Sequence, residues 1–301
     1  DPEMSRGLGD VYKRQVYGDH ISEYHPVINE PGVYLKSCVT VDSPNYLILY
    51  LDLSQAHSGT FDITFVNGEK KFVYAYELKE RKESTDDIQG YDSSDVLYLI
   101  MPDRFANGDQ SNDQISMSTE YVMDRSKPGA RHGGDLKGIE DHLDYFVDLG
   151  VTAIWLNPVL ENDGKGGSYH GYFSTDMFHV DRRLGSNEDY LRLINKAHQK
   201  GLRVVMDMIF NHIGANHPWV LDVPSKDWFN VSPSKRGNHA KAIFYDNYAS
   251  TYDSEVMKYA GFGIDLNQAN PHVGKYLIQN SIWWIEYARI CLLYTSDAAD
   301  E

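Results

Sequence analysis

The sequence predicts an α/β fold in which a β-rich segment precedes alternating strands and helices. Residues 16–79 are dominated by runs with strand character. From residue 95 onwards, strand and helix patterns alternate, which predicts a parallel sheet with right-handed crossovers. The third observation is a buried strand whose carboxyl end carries Asp207, Asn211 and His212. A β/α barrel presents its chemistry from that end of its strands, although polar groups there can also simply cap the strand.

The composition limits the class of protein. A chain of 301 residues can hold one large domain, or a large and a small one, and 42% apolar residues suffice for a packed core. The net charge of −16 argues against nucleic acid and anionic membrane surfaces as partners. No apolar run reaches the length of a membrane span. Because Cys38 and Cys291 are the only cysteines, we expect neither a disulfide framework nor a thiolate zinc site.

The two ends of the sequence are related through their codons. Residues 10–15 are encoded by AGATGTGTATAAGAGACAG read from its second base, and the reverse complement, read from its own second base, encodes residues 291–296. Such paired tails resemble a transposase sequencing adapter. We therefore expect residues 1–15 and 291–301 to be artefactual tails, and the biological chain to be a fragment of roughly residues 16–290. With the native N-terminus missing, a periplasmic and a cytoplasmic location both stay open.

Residues 16–80 are predicted to form part of a β-sandwich N-terminal domain. Apolar and polar residues alternate over 60–66, as in a half-buried strand. Asn67-Gly68 follows directly and is a strong signal for a tight hairpin, with residues 71–76 as the return strand.

Residues 95–290, after a charged and polar linker over 81–94, have the pattern of alternating strands and helices. The strand-like runs are 96–101, 153–156 and 202–209. Before the second run, five apolar positions share one helical face: Ile139, Leu143, Phe146, Val147 and Leu149. A capping box from Ser186 to Asp189 opens the next helix, and Gly201 ends it. Its inward positions are Leu191, Ile194 and Ala197. Pro271 opens the last helix, and residues 212–268 are too long for an ordinary loop, which predicts an inserted subdomain.

Oxygen-bearing residues crowd the loop after the first of these strands. The candidates are Asn107, Asp109, Asn112 and Asp113, joined later by the carbonyl of Gly133 and the carboxylate of Asp135. Hard oxygen ligands of this kind suit Ca²⁺, which takes six to eight of them. A solvated, turn-rich loop would have a similar composition, so the residues alone leave both interpretations open.

Three residues could bind a hydroxyl-rich ligand. Tyr172 follows the second strand, where its ring could stack on a sugar or simply pack in its loop. Asp207 and His212 could hold and orient such a ligand, or serve structure alone. The sequence contains no Gly-rich phosphate loop, no His-Glu-x-x-His and no Gly-x-Ser-x-Gly motif. It therefore predicts a polyol-binding face without a complete catalytic set.

These motifs together resemble a known family. Residues 207–212, Asp-Met-Ile-Phe-Asn-His, resemble the first signature region of the α-amylase family, glycoside hydrolase family 13. Further landmarks match in order and spacing: Gly133 to Ile139, Trp155 to Pro158, and Gly171-Tyr172 followed by Asp176. Met101 to Asp109 looks like the neopullulanase and cyclomaltodextrinase branch. The resemblance implies an α/β fold, namely a partial (β/α)8 TIM barrel (its first three strands plus an inserted subdomain B) preceded by part of a β-sandwich N-terminal domain.

The resemblance also implies roles for individual residues. Six positions match the branch's ligands for a structural Ca²⁺: Asn107, Asp109, Asn112, Asp113, Gly133 and Asp135. Tyr172 matches the ring that stacks on the sugar at the cleavage subsite, and His212 the residue that binds that sugar's hydroxyls. Asp207 matches the residue that steadies the site's arginine. The implied ligands are α-1,4- and α-1,6-linked glucans.

Two departures from the family pattern limit these expectations. Ile264 stands where the family usually has proline, which leaves the bond preference open. Family members hydrolyse glycosidic bonds with retention, using carboxyl groups about 5 Å apart. Those groups lie on the fourth, fifth and seventh barrel strands, whereas this chain leaves the family pattern at Ile290. We therefore assign no catalytic residue, and we expect the fragment to be inactive and the apolar edge of its third strand to be exposed.

The complete parent protein is expected to be a retaining α-glucan hydrolase that cleaves maltodextrins, cyclodextrins or pullulan. Transglycosylation is a variant of this chemistry, and a homodimeric parent stays open. The alternative is a non-catalytic glucan-binding or scaffold protein on a degenerate barrel. An unrelated barrel enzyme that uses the metal loop for Lewis-acid chemistry is the third hypothesis, and it predicts that chelation abolishes activity.

Overall fold

A computed structural model of the chain describes residues 11–80, 90–115, 123–164, 168–230 and 263–294. The chain divides into two units. The first combines residues up to 85 with residues 222–228 and 267–286, and the remaining residues form the second. The sequence interpretation had assigned the last two of these segments to the barrel. Most of the predicted linker (81–89) and the centre of the predicted insert (231–262) lie outside the described residues.

The first unit contains two antiparallel sheets, as expected for part of a sandwich. Its strands are β1 (Val11–Tyr17), β2 (His25–Ile28), β3 (Tyr34–Thr40), β4 (Tyr46–Asp52), β5 (Gly59–Asn67) and β6 (Lys70–Leu78). The sheet orders are β1-β4-β3 and β2-β5-β6. Asn67 pairs with Lys70, so β5 and β6 form the predicted two-residue hairpin. Gly68 has a φ of 59°, a left-handed conformation that this turn requires and that glycine adopts without strain.

Strand β1 includes residues that the codon argument assigned to an artefactual tail. Its backbone pairs in continuous register with β4, from Val11 opposite Asp52 onwards. Its side chains suit a buried position poorly, because Lys13 Nζ, Arg14 Nη1 and Gln15 Oε1 are buried without a hydrogen-bond partner among the described residues. Burying polar groups in this way costs free energy. The adapter origin of this segment stays a prediction.

The second unit is built on a four-stranded parallel sheet, which confirms the predicted fold class for this part of the chain. Its strands are β7 (Leu97–Ile100), β8 (Ala153–Leu156), β9 (Leu160–Asn162), β10 (Ser174–Val180), β11 (Arg203–Met208), β12 (His212–Ile213), β13 (Ile264–Asp265) and β14 (Cys291–Tyr294). The parallel sheet has the order β14-β11-β8-β7, and two small antiparallel pairs, β9–β10 and β12–β13, lie beside it.

The edges of the parallel sheet differ from the expectation. We expected the third strand, now β11, to leave its edge exposed, but β14 pairs with it in parallel. The fourth strand thus comes from residues that were assigned to the C-terminal tail. The edge without a partner among the described residues is β7, where Leu97 and Leu99 are exposed.

The helices largely follow the sequence pattern. They are α1 (Pro102–Phe105), α2 (Leu136–Asp141), α3 (Leu143–Asp148), α4 (Asn187–Gln199), α5 (Pro218–Leu221) and α6 (Pro271–Ala288). The capping box of α4 forms as predicted, although Leu193 is buried in place of Leu191, which is only half-buried. None of the helices in the described ranges is both long and apolar enough to span a bilayer.

One predicted helix is broken into two. His142 has φ −117° and ψ 19°, outside the helical region, and it separates α2 from α3. Its Nδ1 lies 2.7 Å from the Gly138 carbonyl oxygen, which holds the break in place. Ile139, Leu143 and Phe146 are buried as predicted, at the spacing of one helical face. Val147 and Leu149 are exposed, so including these two in the apolar face was wrong.

Replacing Lys13 with methionine should stabilise the chain. Burial, with a contribution from the Lys275 charge, lowers the pKa of Lys13 to about 7. The unfolded chain therefore binds a proton more readily than the folded chain between pH 7 and the ordinary lysine pKa of 10.5. The penalty of the buried amine is complete below pH 7 and fades as the pH rises towards 10.5. We expect Lys13→Met to raise the free energy of unfolding by a few kcal/mol at pH 7 and by little above pH 10.

Denaturant unfolding at several pH values would measure this difference. Lys36→Met is the matched control, since the Lys36 ammonium is exposed and lies 2.8 Å from Asp52. An equal gain from both variants, or a gain from Lys13→Met that does not change with pH, would contradict the explanation.

Candidate functional site

Asp207 lies at the carboxyl end of β11 and is fully buried. Its Oδ2 accepts hydrogen bonds from the Tyr172 hydroxyl at 3.0 Å and from Trp155 Nε1 at 3.3 Å. A buried carboxylate is stable only when donors replace its lost hydration. The donors come from the neighbouring strand β8 and from the loop after β9, so the carboxylate ties three parts of the second unit together.

His212, the first residue of β12, is buried against the same loop. Its Nε2 lies 2.9 Å from the Tyr172 carbonyl oxygen, and a carbonyl can only accept, so Nε2 carries the proton in this pair. Burial lowers the pKa of His212 to about 4, which leaves the imidazole neutral at physiological pH. The observed bond fixes the Tyr172 backbone, while contact between His212 and a sugar stays a prediction.

Two glycines allow the backbone to approach this group of residues closely. Gly171 has a φ of 91°, and a Cβ there would collide with the Pro158 carbonyl oxygen. A Cβ on Gly263 would collide with the His212 ring. Asp265 stands opposite His212 in the β12–β13 pair, so the predicted segment from Gly263 lies directly beside the first signature segment.

Asp135 anchors the predicted metal loop, residues 107–135, which contains the six candidate calcium ligands. Its carboxylate is fully buried and caps α2 by accepting the Gly138 N–H at 2.6 Å. The same carboxylate accepts the N–H groups of Gly108 at 3.1 Å and Asp109 at 2.8 Å. Hydrogen bonds from Ser111 lower the pKa of Asp109, which keeps that carboxylate ionised.

Two of the other predicted ligands, Asn107 and Asp113, lie beside Gly133. Asn107 Nδ2 donates to Asp113 Oδ1 at 2.6 Å, and a Cβ built on Gly133 would lie 2.7 Å from Asp113 Oδ1 and 2.9 Å from Asn107 Nδ2. The Oδ1 atoms of Asn107 and Asn112 are buried without a hydrogen-bond partner in the described ranges. Unsatisfied buried amide oxygens in a loop that also carries carboxyl groups fit a hard cation such as Ca²⁺.

Clusters of three or more His, Cys, Asp or Glu side chains that could hold a metal do not occur among the described residues. The candidate set instead mixes carboxylates with amide and backbone oxygens.

Sequence inspection missed a buried polar network beside the Tyr172 loop. Arg131 donates to Ser168 Oγ at 3.3 Å and pairs with Asp181 at 3.5 Å, while Arg183 pairs with Asp181 at 2.8 Å. No local pattern marks the contacts of Arg131, because Ser168 and Asp181 lie 37 and 50 positions away in the chain. The bond from Trp155 to Asp207 follows from the pairing of the strands. Trp155 stands opposite Val205, and Asp207, two residues further along β11, points to the same face of the sheet.

Comparison with known proteins agrees with this architecture. The chain is 36% identical to the intracellular maltogenic amylase of Bacillus subtilis over 202 residues, which cover 64% of this chain and 31% of that protein. It is 31% identical to neopullulanase 2 of Thermoactinomyces vulgaris over 227 residues, or 71% of this chain and 35% of that protein. The chain thus spans about a third of the length of these relatives.

A solved structure shares the fold. The crystal structure of an Anoxybacillus α-amylase superposes with a TM-score of 0.55 and 39% identity, covering 67% of this chain and 41% of that one. Two family descriptions match consecutive parts of the sequence. "Cyclomaltodextrinase, N-terminal" matches residues 14–82, and "Alpha amylase, catalytic domain" matches residues 99–290. The second match alone covers well over half of the chain, so the chain belongs to the α-amylase family, in its neopullulanase-like branch.

Proposed function

We propose that the complete protein to which this chain belongs is a retaining hydrolase of α-glucans, and that this chain contributes the sugar-binding side of its active site. Its substrates would be maltodextrins, cyclodextrins or pullulan, with glycosyl transfer as a variant of the same chemistry. The observation that supports the proposal most directly is the bond between the Tyr172 hydroxyl and the buried Asp207 carboxylate. The names of the relatives, a maltogenic amylase and a neopullulanase, support the same substrate class.

Within this proposal Tyr172 is a stacking platform. An aromatic ring offers its face to the C–H groups of a sugar, and the orientation of the ring decides how well they fit. The Tyr172 hydroxyl is tied to Asp207, and its carbonyl oxygen accepts from His212, so both ends of the residue are fixed before a ligand arrives. The neutral His212 imidazole suits a binding role towards uncharged hydroxyls.

We further propose that the predicted metal loop holds a structural Ca²⁺. The residues that would hold it are Asn107, Asp109, Asn112, Asp113, Gly133 and Asp135. The ion would satisfy the buried amide oxygens of Asn107 and Asn112 and neutralise the nearby carboxylates. Such an ion supplies rigidity to the loop and takes no part in bond cleavage.

Removing the Tyr172 ring should weaken glucan binding by this chain. We expect Tyr172→Ala to lower the affinity for maltoheptaose about tenfold, since stacking contributes roughly 1–2 kcal/mol. Tyr172→Phe keeps the ring and loses only the bond to Asp207, so its loss should be smaller. Isothermal titration calorimetry would compare the variants. Tyr145→Ala, which removes an exposed tyrosine of the same unit, is the control. Unchanged affinity in Tyr172→Ala would contradict the assignment of Tyr172 as the ring that stacks on the sugar.

The purified chain should not release reducing sugar from maltodextrin. Retaining cleavage needs two carboxyl groups about 5 Å apart, on barrel strands for which this sequence has no matching motif. The assay would run beside the Bacillus subtilis maltogenic amylase as a positive control. Measurable hydrolysis by residues 16–290 would show that a catalytic pair has been overlooked.

Calcium should raise the melting temperature of the chain. A ligand that binds only the folded state stabilises it by mass action, about 2.7 kcal/mol at a hundredfold excess over the Kd. We expect thermal unfolding to shift upwards with Ca²⁺ and downwards with EGTA. Asp113→Asn should abolish the shift. Asp124→Asn, a carboxylate bonded to Ser126 outside the predicted ligand set, should retain it. A shift that survives in Asp113→Asn would place the ion elsewhere.

A further inference from the structure

Arg104, on α1, binds residues 128–130 of the predicted metal loop, shortly before Gly133. Its Nη1 donates to the Ala130 carbonyl oxygen at 2.8 Å, and its Nη2 donates to the Pro128 carbonyl oxygen at 2.6 Å. Asp103 lies 2.6 Å from the same guanidinium, on Nη1. The geometry of the guanidinium is thus fixed by two main-chain oxygens and one buried carboxylate.

The neighbouring Asp103 holds the same segment from its other side. Its carboxylate is buried and accepts the N–H of His132 at 3.0 Å and that of Gly133 at 3.3 Å. Asp103 and Arg104 together therefore bind the main chain at four positions between residues 128 and 133. Gly133 itself is one of the six predicted calcium ligands.

The guanidinium of Arg104 also stacks on Tyr169, in the loop that carries Tyr172, the proposed sugar platform. Its Cζ lies 4.0 Å from the centroid of the Tyr169 ring, well within the range of a cation–π contact. The planar guanidinium favours this face-on arrangement in a way that a lysine ammonium does not. A second link runs in parallel, because Arg131 of the metal loop donates to Ser168, the residue before Tyr169.

The path from Tyr169 to Tyr172 is short and internally bonded. The rings of Tyr169 and His170 lie 5.5 Å apart, and His170 Nδ1 accepts the Tyr172 N–H at 3.0 Å. The His170 carbonyl oxygen accepts from Asn157 at 3.4 Å. A displacement of Tyr169 would therefore be transmitted to the ring that is proposed to stack on the sugar.

We propose that Arg104 is a positioning residue that couples the metal loop to the sugar platform, so that calcium and glucan raise each other's affinity. This inference rests on the proposed function. When the ion orders residues 128–133, the two carbonyl oxygens fix Arg104, and Arg104 fixes Tyr169. Glucan then binds a loop that is already ordered, which costs less conformational entropy. By linkage, bound glucan must raise calcium affinity by the same factor.

The test measures the coupling factor in the full chain. Maltoheptaose affinity is determined by calorimetry with saturating Ca²⁺ and with EGTA, and Ca²⁺ affinity with and without maltoheptaose. We expect both ratios to equal about five in the unmodified chain, at the lower end of typical coupling factors. Circular dichroism confirms that every variant is folded under each condition.

Four variants separate coupling from general stability. Arg104→Gln and Tyr169→Leu should reduce the factor to about one. Tyr169→Phe keeps the stacked ring and should retain the factor. Arg125→Gln should retain it too, because Arg125 is exposed and, among the described residues, donates to the His132 carbonyl oxygen within the metal loop rather than to the loop of Tyr172. Replacing a residue with a merely structural role would lower stability, or would lower the affinity for a ligand equally in the presence and absence of the other ligand. The coupling factor would then stay unchanged. If Arg104→Gln fails to fold, the Tyr169 pair decides the question.

The outcomes are distinct. A factor of one in the unmodified chain, with both ligands bound, overturns the coupling and leaves the proposed function standing. A normal factor in Tyr169→Leu excludes the route through Arg104. If the chain binds no maltoheptaose under any condition, the proposed glucan site in this chain fails, and the coupling fails with it.

Discussion

The buried carboxylate of Asp207 constrains the residues around the carboxyl end of β11 in the second unit. A charge removed from water must find donors, and here they come from Trp155 on the adjacent strand and from Tyr172 on a loop. Once Tyr172 is held by its hydroxyl, His212 can bind its carbonyl oxygen, and Gly263 must lack a side chain to make room for the imidazole. The bonds to Asp207 and His212 thus fix both ends of Tyr172, burial keeps the imidazole neutral, and Gly263 leaves room for the ring.

The same rule explains how long irregular segments keep a defined shape. Loops leave many main-chain N–H groups without the partners that a helix or sheet supplies. In this unit Asp103 and Asp135 accept those groups from residues up to thirty positions away in the chain. In the described part of the predicted metal loop, the buried amide oxygens of Asn107 and Asn112 are left without a hydrogen-bond partner. The carboxylates that accept main-chain N–H groups thus shape the loop, and the two amide oxygens are the groups that a bound cation would satisfy.

The features that could be predicted from the sequence are those determined by residues close together in the chain. The hairpin at Asn67-Gly68, the capping box at Ser186 and the parallel strands follow from local chemistry and periodicity, and the structure confirms them. The break at His142 could not be predicted, because Ile139, Leu143 and Phe146 keep the spacing of an unbroken helix and only the backbone angles of one residue depart from it. The candidate residues of the site were named from a motif, but their bonding was not. Asp207 and Trp155 are 52 positions apart, and strand register rather than sequence proximity brings them together.

The pairing of β14 with β11 has a wider consequence. Parallel strands recognise one another through main-chain groups, which every residue except proline carries, so a sheet edge discriminates poorly between one strand and another. The residues of β14, whose adapter origin stays a prediction, can therefore pair with β11 whatever side chains they carry. A parallel edge of this kind selects for strand geometry and length more than for side-chain identity.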